Sequence, residues 1–255
     1  MLPDADRYGE SFADVYDEWY SSGFDTEGAV ELLMSLAGRG PVLELGVGTG
    51  RLAVPLAATV RVVGIDASPQ MLQRLAANEG AATVTTVLAD MADVGDAVAA
   101  AGDDVPVGDY PLVVCAANTF LNLHREAAQR RCLAGVAQLL ASDGALVIEA
   151  YVPASPEGTP RTSLDVARVT TDAVVLTCTE HDVANQVVTG QHVELRDGSV
   201  RLRPWRIRYL TPLQLDEMAA ESGLVLDQRW ADWRHAPFDD ESDSHVSIYR
   251  RRPPG

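Results

Sequence analysis

Short, almost continuously apolar runs alternate with longer amphipathic segments between residues 28 and 152. Segments 68–79 and 126–142 repeat apolar residues at helical spacing, and the apolar runs are residues 41–46, 61–66, 84–89, 110–116 and 144–151. Strands that are apolar on both faces and alternate with helices are typical of a parallel sheet covered on both sides. The pattern therefore predicts an α/β fold with a doubly wound sheet.

From about residue 160 to residue 210 the chain changes to one-by-one alternation of apolar and polar residues. Such alternation is typical of strands with one solvated face, and Asp197-Gly198 is a typical hairpin turn. We expect an inserted antiparallel β meander whose last strand completes a seven-stranded main sheet. Its predicted runs are residues 167–181, 186–195 and 199–210.

The chain beyond the meander predicts one more helix and two strands. Residues 211–224 form the helical segment, with Thr211 as N-cap, Pro212 at the first helical position and Gly223 at the end. The two strands are expected at residues 224–233 and 244–252.

Charge and composition narrow the classes of partner. The 255 residues contain 37 acids and 20 bases, and the net charge of −17 argues against a nucleic-acid partner. No apolar stretch approaches the roughly 20 residues of a membrane span, so no membrane partner is expected. The N-terminus is acidic where a secretory signal is basic and then apolar, which predicts a cytoplasmic protein.

The types of residue present exclude several chemistries. All 20 bases are arginine, and the absence of lysine excludes a Schiff base, a pyridoxal phosphate anchor and a phosphate-loop lysine. Cys115, Cys132 and Cys178 are widely spaced without a CxxC, and the histidines lack metal-ligand spacing. We therefore expect neither a disulfide framework nor a metal.

Candidate chemistry lies in the turn after the first strand, where Gly46, Gly48 and Gly50 follow a G-x-G-x-G spacing. A glycine-rich turn here is the usual nucleotide-binding position of a doubly wound sheet. A dinucleotide site favours G-x-G-x-x-G, and Glu44 suits an amino-acid ammonium better than a pyrophosphate. Asp66 can accept both ribose hydroxyls, a role that would also fit NAD.

Three successive motifs, ELGVGTG (44–50), GIDASPQML (64–72) and ADM (89–91), resemble those of class I S-adenosylmethionine-dependent methyltransferases. The resemblance spans roughly residues 10–250 and implies a seven-stranded, Rossmann-like sheet with S-adenosylmethionine as cofactor. It also implies the residues that bind the cofactor. Gly46, Gly48 and Gly50 approach the methionine moiety, Asp66 takes the ribose, Ala67 and Met71 pack on the adenine, and Asp90, with Met91 beside it, meets the adenine amino group.

The N-terminal YGESFADVYDEWY (8–20) is similar to the helical lid of small-molecule members, and the layout resembles sugar N-methyltransferases of antibiotic pathways. This implies a lid over residues 1–38 and a methyltransferase domain over 39–255, with the meander at 160–210. Tyr8 and Tyr16 would then approach the sulfonium, and Tyr8 would also meet the acceptor.

The acceptor is expected at the segment AANTFLNLH (116–124), which follows the fourth strand. Where the sugar N-methyltransferases have a histidine, this chain has Asn122, and His124 follows two residues later. We take Asn122 and His124 as catalytic candidates. Asn118 and Asn122 could orient an amine or a hydroxyl, or could instead cap the next helix.

Acidic segments favour a cationic acceptor. The first 31 residues carry nine acids against Arg7, and residues 232–243 carry five against Arg234. Both segments would border the substrate mouth and attract a cation, or would only keep the protein in solution. Further substrate candidates, each with a packing role as the alternative, are Tyr151, Trp205, Trp233 and His235, whereas His181 and His192 are expected at the surface.

These observations favour methyl transfer to an amine of a small polar natural product, such as an aminosugar or aminoglycoside, in antibiotic biosynthesis. The alternatives are an O-methyltransferase of a sugar or polyketide hydroxyl and a catalytically inactive binding protein of the same fold. The meander is expected to serve as a homodimer face or as a lid.

Overall fold

The computed structural model describes residues 5–20, 23–154 and 161–252. The first residues of the predicted lid (1–4) and of the predicted insertion (160) lie outside the described part. The longer helices are α1 (Ala5–Phe12), α2 (Tyr16–Tyr20), α3 (Thr26–Ala37), α4 (Ala53–Ala57), α5 (Pro69–Ala76), α6 (Val94–Ala100), α7 (Glu126–Leu139) and α8 (Pro212–Glu221). The strands are β1 (Val42–Leu45), β2 (Val62–Asp66), β3 (Val84–Leu88), β4 (Tyr110–Cys115), β5 (Leu140–Tyr151), β6 (Thr162–Val169), β7 (Ala173–Asp182), β8 (Val187–Arg196), β9 (Ser199–Arg208), β10 (Leu224–Trp230) and β11 (Ser244–Arg251).

The main sheet has seven strands in the order β10-β11-β5-β4-β1-β2-β3. Strands β1 to β5 run parallel to one another, and β11 is antiparallel to both β5 and β10. The strand order reverses between β1 and β4, which is where ligands bind in doubly wound sheets. The predicted fold class and its five leading strands are confirmed.

Two apolar layers cover the main sheet. Leu43 and Leu45 of β1 pack into a cluster that includes residues of α6 and α7, and Val42 packs into a cluster with α3 and α4. Because side chains alternate along a strand, β1 has apolar partners on both faces. The helix α3, which falls within the predicted lid, thus packs against the sheet as a core helix, and a domain boundary at residue 38 stays a prediction.

The meander forms a separate antiparallel sheet in the order β6-β7-β8-β9. The expectation that its last strand joins the main sheet is wrong, because β11 inserts between β5 and β10 and these two C-terminal strands complete the seven. The single run predicted at residues 167–181 is also wrong, since β6 ends at Val169 and β7 starts at Ala173.

The C-terminal helix α8 has the predicted boundaries and caps. The Thr211 side chain accepts from the backbone N–H of Gln214, and the Gln214 side chain reaches back to the N-cap backbone, which forms a capping box. Pro212 occupies the first turn and Gly223 has a φ of 79° just after the helix. Among the described residues, no helix is both long enough and apolar enough to cross a membrane.

Candidate functional site

A cavity lies at the carboxyl ends of β1, β2 and β3, beside the point where the strand order reverses. Ten residues singled out from the sequence line it, namely Tyr8, Tyr16, Gly46, Gly48, Asp66, Ala67, Met71, Asp90, Met91 and Asn122. Gly9, Ile65, Ala89, Thr119 and Leu123 line it as well and were missed by the sequence reasoning. All five are neighbours in sequence of predicted residues and lie within the quoted segments, and only that position could have signalled them.

The turn after β1 depends on glycine for its backbone shape. Gly46 and Gly48 have φ values of 68° and 55°, in the left-handed region that side chains disfavour. A Cβ on Gly46 would also lie 2.2 Å from Cγ2 of Thr119, whereas one on Gly48 would meet no atom closer than 4.0 Å. The turn therefore leaves a concave surface of bare backbone at the cavity.

Gly50 lies outside this cavity. A Cβ there would lie 2.9 Å from Val54 and 3.0 Å from Leu75, so the third glycine allows the turn to pack against α4 and α5. Its contribution to the site is therefore indirect.

The carboxylate of Asp66 is held at the end of β2 by two backbone donors. The N–H of Gly48 donates to Oδ2 and the N–H of Ser68 donates to Oδ1, both at 2.8 Å. Each oxygen retains a lone pair for a further donor, which suits two neighbouring hydroxyls. Burial raises the pKa of Asp66, and the two backbone hydrogen bonds oppose that rise.

Asp90 has a similar arrangement at the end of β3. Its Oδ1 accepts from the N–H of Ala92 at 2.8 Å, which orients the carboxylate at the start of the short 3-10 helix Met91–Asp93. Met91 is buried beside it, and Met71 is buried on the first turn of α5. The two methionines supply polarizable apolar walls between the two carboxylates.

Glu44 lies beneath the glycine turn and does not itself line the cavity. Its side chain is 5% exposed, and Oε2 has no hydrogen-bond partner among the described residues. Burial raises the pKa of Glu44 to about 8. A buried polar atom without a partner is rare in proteins, and an ammonium group of a ligand would satisfy this one.

The N-terminal helices close the cavity. Gly9 of α1 sits against α5 so closely that a Cβ there would lie 2.2 Å from Cβ of Ser68. Tyr8 stacks on Phe12 with the ring centroids 4.6 Å apart. Burial raises the pKa of Tyr8 well above its ordinary value and that of Tyr16 to about 12, so both hydroxyls are neutral at physiological pH.

The meander holds these helices in place through Arg203 of β9. This side chain is 1% exposed, and its guanidinium donates to Asp14 and to the backbone carbonyl of Ser11. It also pairs with Glu194 of β8 at 2.8 Å and lies over the ring of Trp19 at 5.1 Å. A buried arginine with two carboxylates therefore joins α1, α2 and the meander.

The loop after β4 has a strained backbone next to the cavity. Ala117 and Asn118 have φ values of 54° and 62°, in the left-handed region. Oε2 of Glu149 accepts from the N–H of Ala117 at 2.6 Å, and Oδ1 of Asn118 accepts from the N–H of Tyr151 at 2.7 Å. The end of β5 thus fixes the loop that positions Thr119.

The helix-capping alternative for the asparagines is wrong. α7 has Arg125 at its N-cap, and Asn118 occupies the N-cap position of the 3-10 helix Thr119–Asn122 without a side-chain capping bond. Asn122 lines the cavity, whereas His124 is not among its lining residues.

The other substrate candidates do not gather at this cavity. Trp233 is buried and donates from Nε1 to Oε1 of Glu149 at 2.7 Å, so it supports the β4 loop from beneath. His235 packs edge-on against Trp230 with the centroids 5.1 Å apart. Trp205 packs with the N-terminal helices, and Tyr151 lines a second cavity beside the meander.

The two meander histidines are not surface residues as expected. His181 is half-buried, with Nε2 at 2.9 Å from the Tyr209 hydroxyl. His192 is half-buried against Phe12 and bonds the Thr177 hydroxyl through Nδ1. Alternation along an isolated strand does not show which face another element will cover, so the sequence offered no signal for either.

Many of the N-terminal acids are paired with arginine. Arg234 contacts Asp25 at 2.7 Å, Glu27 at 3.2 Å and Glu31 at 3.4 Å. Elsewhere Arg201 pairs with Asp14 and Arg168 with Glu18. These pairs reduce the negative charge that the N-terminal segment presents to a cation.

Several solved structures that are similar to this chain are described as methyltransferases. A sequence profile described as a methyltransferase domain matches residues 42–144. The CcbJ methyltransferase from Streptomyces caelestis is 36% identical with a TM-score of 0.87, over 98% of this chain and 100% of that chain. No curated protein sequence matches the chain significantly.

Two more distant structures share the fold. A sugar N-methyltransferase from Streptoalloteichus is 18% identical with a TM-score of 0.64, over 93% of each chain. An amino pentose methyltransferase from Micromonospora echinaspora, solved with S-adenosylmethionine bound, is 18% identical with a TM-score of 0.64, over 92% of this chain and 96% of that chain. At this identity the likeness concerns the fold alone.

Proposed function

Because this chain belongs to the S-adenosylmethionine-dependent methyltransferase family, we propose that it methylates an amine of a small polar natural product, carried by an aminosugar or aminoglycoside. Methyl transfer with S-adenosylmethionine as cofactor is the activity of the family. An amine as the acceptor group, a sugar as its carrier and a place in antibiotic biosynthesis go beyond the family activity, and these are what we propose.

The residues at the cavity fit this cofactor. Glu44 offers an unpartnered buried carboxylate oxygen to an ammonium, Gly48 leaves the backbone bare, and Asp66 retains acceptor capacity for two ribose hydroxyls. Asp90, Met71 and Met91 would surround the adenine. When bound, the cofactor supplies a methyl group already activated by the positive sulfonium.

The protein's part in such a transfer is positioning. Tyr8 and Tyr16 close the cavity with neutral hydroxyls, and burial by the N-terminal helices excludes water. Holding the acceptor in line with the methyl group offsets roughly 7–11 kcal/mol of barrier in well-oriented systems. Asn122, on the wall of the cavity, is the residue that we propose to orient the acceptor nitrogen.

The main support for an amine acceptor is the set of titratable residues that line the donor cavity. Among the described lining residues the titratable groups are Tyr8, Tyr16, Asp66 and Asp90, and backbone N–H groups already engage both carboxylates. A hydroxyl acceptor requires a base, whereas an amine needs only to be held unprotonated. The descriptions of the sugar N-methyltransferase and the amino pentose methyltransferase support the same choice.

We propose a second copy of this chain as the partner of the meander's outer face. Two register rows on this face are apolar across all four strands, Val166/Leu176/Val193/Leu202 and Val169/Val174/Leu195/Val200. Val166, Val169, Val200 and Leu202 each expose 60–69% of their area. Four strands of about ten residues present roughly 600 Å² per copy, and a face-to-face pair would exceed the roughly 1,000 Å² of a stable interface.

A cationic acceptor and a cytoplasmic location stay predictions. The acids of the segment 232–243 are the remaining support for a cation, because Asp239 and Asp240 are not in ion pairs among the described contacts. The N-terminal acids contribute less than expected, since arginines neutralise several of them.

Intact mass after incubation with S-adenosylmethionine tests the proposed acceptor class. The panel contains pairs of acceptors that differ only in having an amine or a hydroxyl, such as D-glucosamine and D-glucose. In each pair, only the amine compound should gain the mass of a methyl group. The Asp66→Asn variant serves as the donor-site control and should lose the reaction. Methylation of the hydroxyl member would make the protein an O-methyltransferase, and donor binding without any methylation across the panel would favour an inactive binding protein.

A further inference from the structure

A second cavity of about 260 Å³ lies between the end of β5 and the meander. Its wall includes Tyr151 of β5, Ser163 of β6, Thr179 and His181 of β7, and Tyr209 just after β9. It shares no lining residue with the first cavity. Its size is just below the usual range for small-molecule sites, roughly 300–1,000 Å³.

Hydrogen bonds join the polar groups of this cavity in two pairs, and the Ser163 hydroxyl also donates to Oδ2 of Asp165 at 2.9 Å. Nε2 of His181 and the Tyr209 hydroxyl lie 2.9 Å apart, and the hydroxyls of Ser163 and Thr179 lie 2.7 Å apart. Burial raises the pKa of Tyr151 to about 12, so its hydroxyl is neutral at physiological pH. Hydroxyl and imidazole groups both donate and accept hydrogen bonds, which lets each pair accept an additional ligand hydroxyl.

Aromatic and apolar surfaces complete the wall. Tyr151 and Tyr209 supply two rings, and Pro153 and Val188 supply apolar surface. A tyrosine side chain has an apolar ring and a polar hydroxyl at its tip. It can therefore pack against the C–H groups of a saturated ring and hydrogen-bond the hydroxyls of that ring. Among the described lining residues there is no carboxylate. The cavity would therefore recognise a ligand through its hydrogen-bonding groups rather than through its charge.

The second cavity is coupled to the first through the loop after β4. The N–H of Tyr151 donates to Oδ1 of Asn118, and the next residue, Thr119, lines the first cavity. β9 also packs against the 3-10 helix Thr119–Asn122. A group held beside Tyr151 is therefore adjacent to the loop that carries Asn122.

We propose that the cavity formed by Tyr151, Ser163, Thr179, His181 and Tyr209 is the binding site for the hydroxylated ring of the acceptor. The inference rests on the proposed function, since it names where the sugar of that reaction is held. The His181–Tyr209 pair then acts as a specificity element that recognises ring hydroxyls, and Tyr151 packs on the ring next to the β4 loop.

Fluorine NMR of fluorotyrosine-labelled protein tests this site. The resonances are assigned with Tyr→Phe variants at positions 8, 16, 110, 151 and 209. With S-adenosylhomocysteine present, D-glucosamine should shift the Tyr151 and Tyr209 resonances saturably. Tyr110 should not move, because it is fully buried at the opposite end of β4.

Matched variants of β7 distinguish recognition from a structural role. His181→Phe should weaken the D-glucosamine response about tenfold, because phenylalanine keeps a ring but neither donates nor accepts a hydrogen bond, and the S-adenosylhomocysteine affinity should be unchanged. Glu180→Gln, on an exposed neighbour in the same strand, should change neither. Unshifted Tyr151 and Tyr209, or an unchanged response in His181→Phe, would overturn the proposal.

The same spectra separate this inference from the proposed function. S-adenosylhomocysteine alone should shift Tyr8 and Tyr16, which line the donor cavity. If it does so while the amino sugar leaves Tyr151 and Tyr209 unmoved, the sugar site is wrong and donor binding stands. If Tyr8 and Tyr16 do not respond, the donor site itself is wrong.

Discussion

Glu44 shows how a single residue can be matched to a ligand by its unsatisfied chemistry. Its carboxylate is buried by the main sheet below the glycine turn, and Oε2 has no protein partner among the described residues. Keeping such a group ionised in the folded protein requires a nearby cation, which the ammonium of the cofactor would provide. In the free protein the group is expected to hold a proton.

The Glu44→Gln variant should have a flatter pH dependence of stability. Burial raises the pKa of Glu44 from its ordinary value of 4.5 to about 8. Between these values the folded protein holds a proton that the unfolded chain has released. The associated stability is therefore complete below the unfolded pKa and is lost as the pH rises through about 8.

Urea denaturation of the cofactor-free protein at a series of pH values measures this effect. The free energy of unfolding of the parent should fall by a few kcal/mol more than that of Glu44→Gln across the window. Glu79→Gln removes an exposed carboxylate and should resemble the parent. Parallel curves for Glu44→Gln and the parent would show that Glu44 is not protonated in the folded state.

Asn122 and His124 offer a second test at the scale of residues. If Asn122 orients an amine, Asn122→Ala should lower kcat by roughly tenfold through loss of one hydrogen bond. His124→Ala should retain most activity, because His124 is not among the lining residues. Loss of about 10²–10⁴ in turnover for His124→Ala, with the fold intact, would instead identify it as a general base for a hydroxyl acceptor.

At the scale of elements, the N-terminal helices depend on the meander for their position. α1 packs against both α5 and β9, and Arg203 joins the turn after α1 to β8 and β9. Removing one partner of a buried charge pair is strongly destabilising, by roughly 3–5 kcal/mol, so Arg203 itself is a poor site for a clean test. Asp14, with a side chain 35% exposed, is a better one.

Asp14→Asn should weaken S-adenosylhomocysteine binding by about tenfold, because loosening α1 withdraws Tyr8 from the cavity wall. The pair of Arg203 with Glu194 is retained, so the melting temperature should change little. Calorimetric titration measures the affinity, and the fluorescence of Trp19, which lies against Arg203, reports the position of the helices.

Arg201→Gln is the matched control for this contact. Arg201 also bonds Asp14 but is more than half exposed, so its loss should have little effect on either measurement. Equal losses of affinity in Asp14→Asn and Arg201→Gln would indicate general electrostatics rather than anchoring of the helices. An unchanged S-adenosylhomocysteine affinity in Asp14→Asn would show that the contact between Asp14 and Arg203 does not contribute to cofactor binding.

At the scale of the whole molecule, the two faces of the meander differ. One face carries His192 and Arg203, which contact the N-terminal helices, and the other carries the two apolar rows with no partner among the described residues. A monomer rarely exposes an apolar patch of this size without a binding role. Pairing of two copies through these rows would cover it.

Leu202→Arg should convert the protein to a monomer in sedimentation velocity, because it places a charge at one end of an apolar row, within the face that the second copy would cover. Leu88→Arg is the matched control, since Leu88 is 59% exposed on β3, away from the meander. It should leave the oligomeric state unchanged. A parent protein that is monomeric at all concentrations tested would refute the homodimer.

The sequence by itself determined the α/β architecture and nearly all of the donor cavity. Both depend on short-range information: apolar runs and helical periods define the elements, and three motifs of a few residues each carry the residues from Glu44 to Met91. Because parallel strands place their carboxyl ends at one edge of a sheet, motifs that follow successive strands meet without further information.

The tertiary structure alone decided what surrounds that cavity. Asp14 and Arg203 are 189 residues apart in the chain, and Tyr151, His181 and Tyr209 come from three segments. It also decided that β11 rather than a meander strand enters the main sheet, and that Trp233 donates a hydrogen bond to Glu149 beneath the loop after β4. Such contacts depend on the register of non-local strands and on which face another element covers, and a pattern of polar and apolar residues specifies neither.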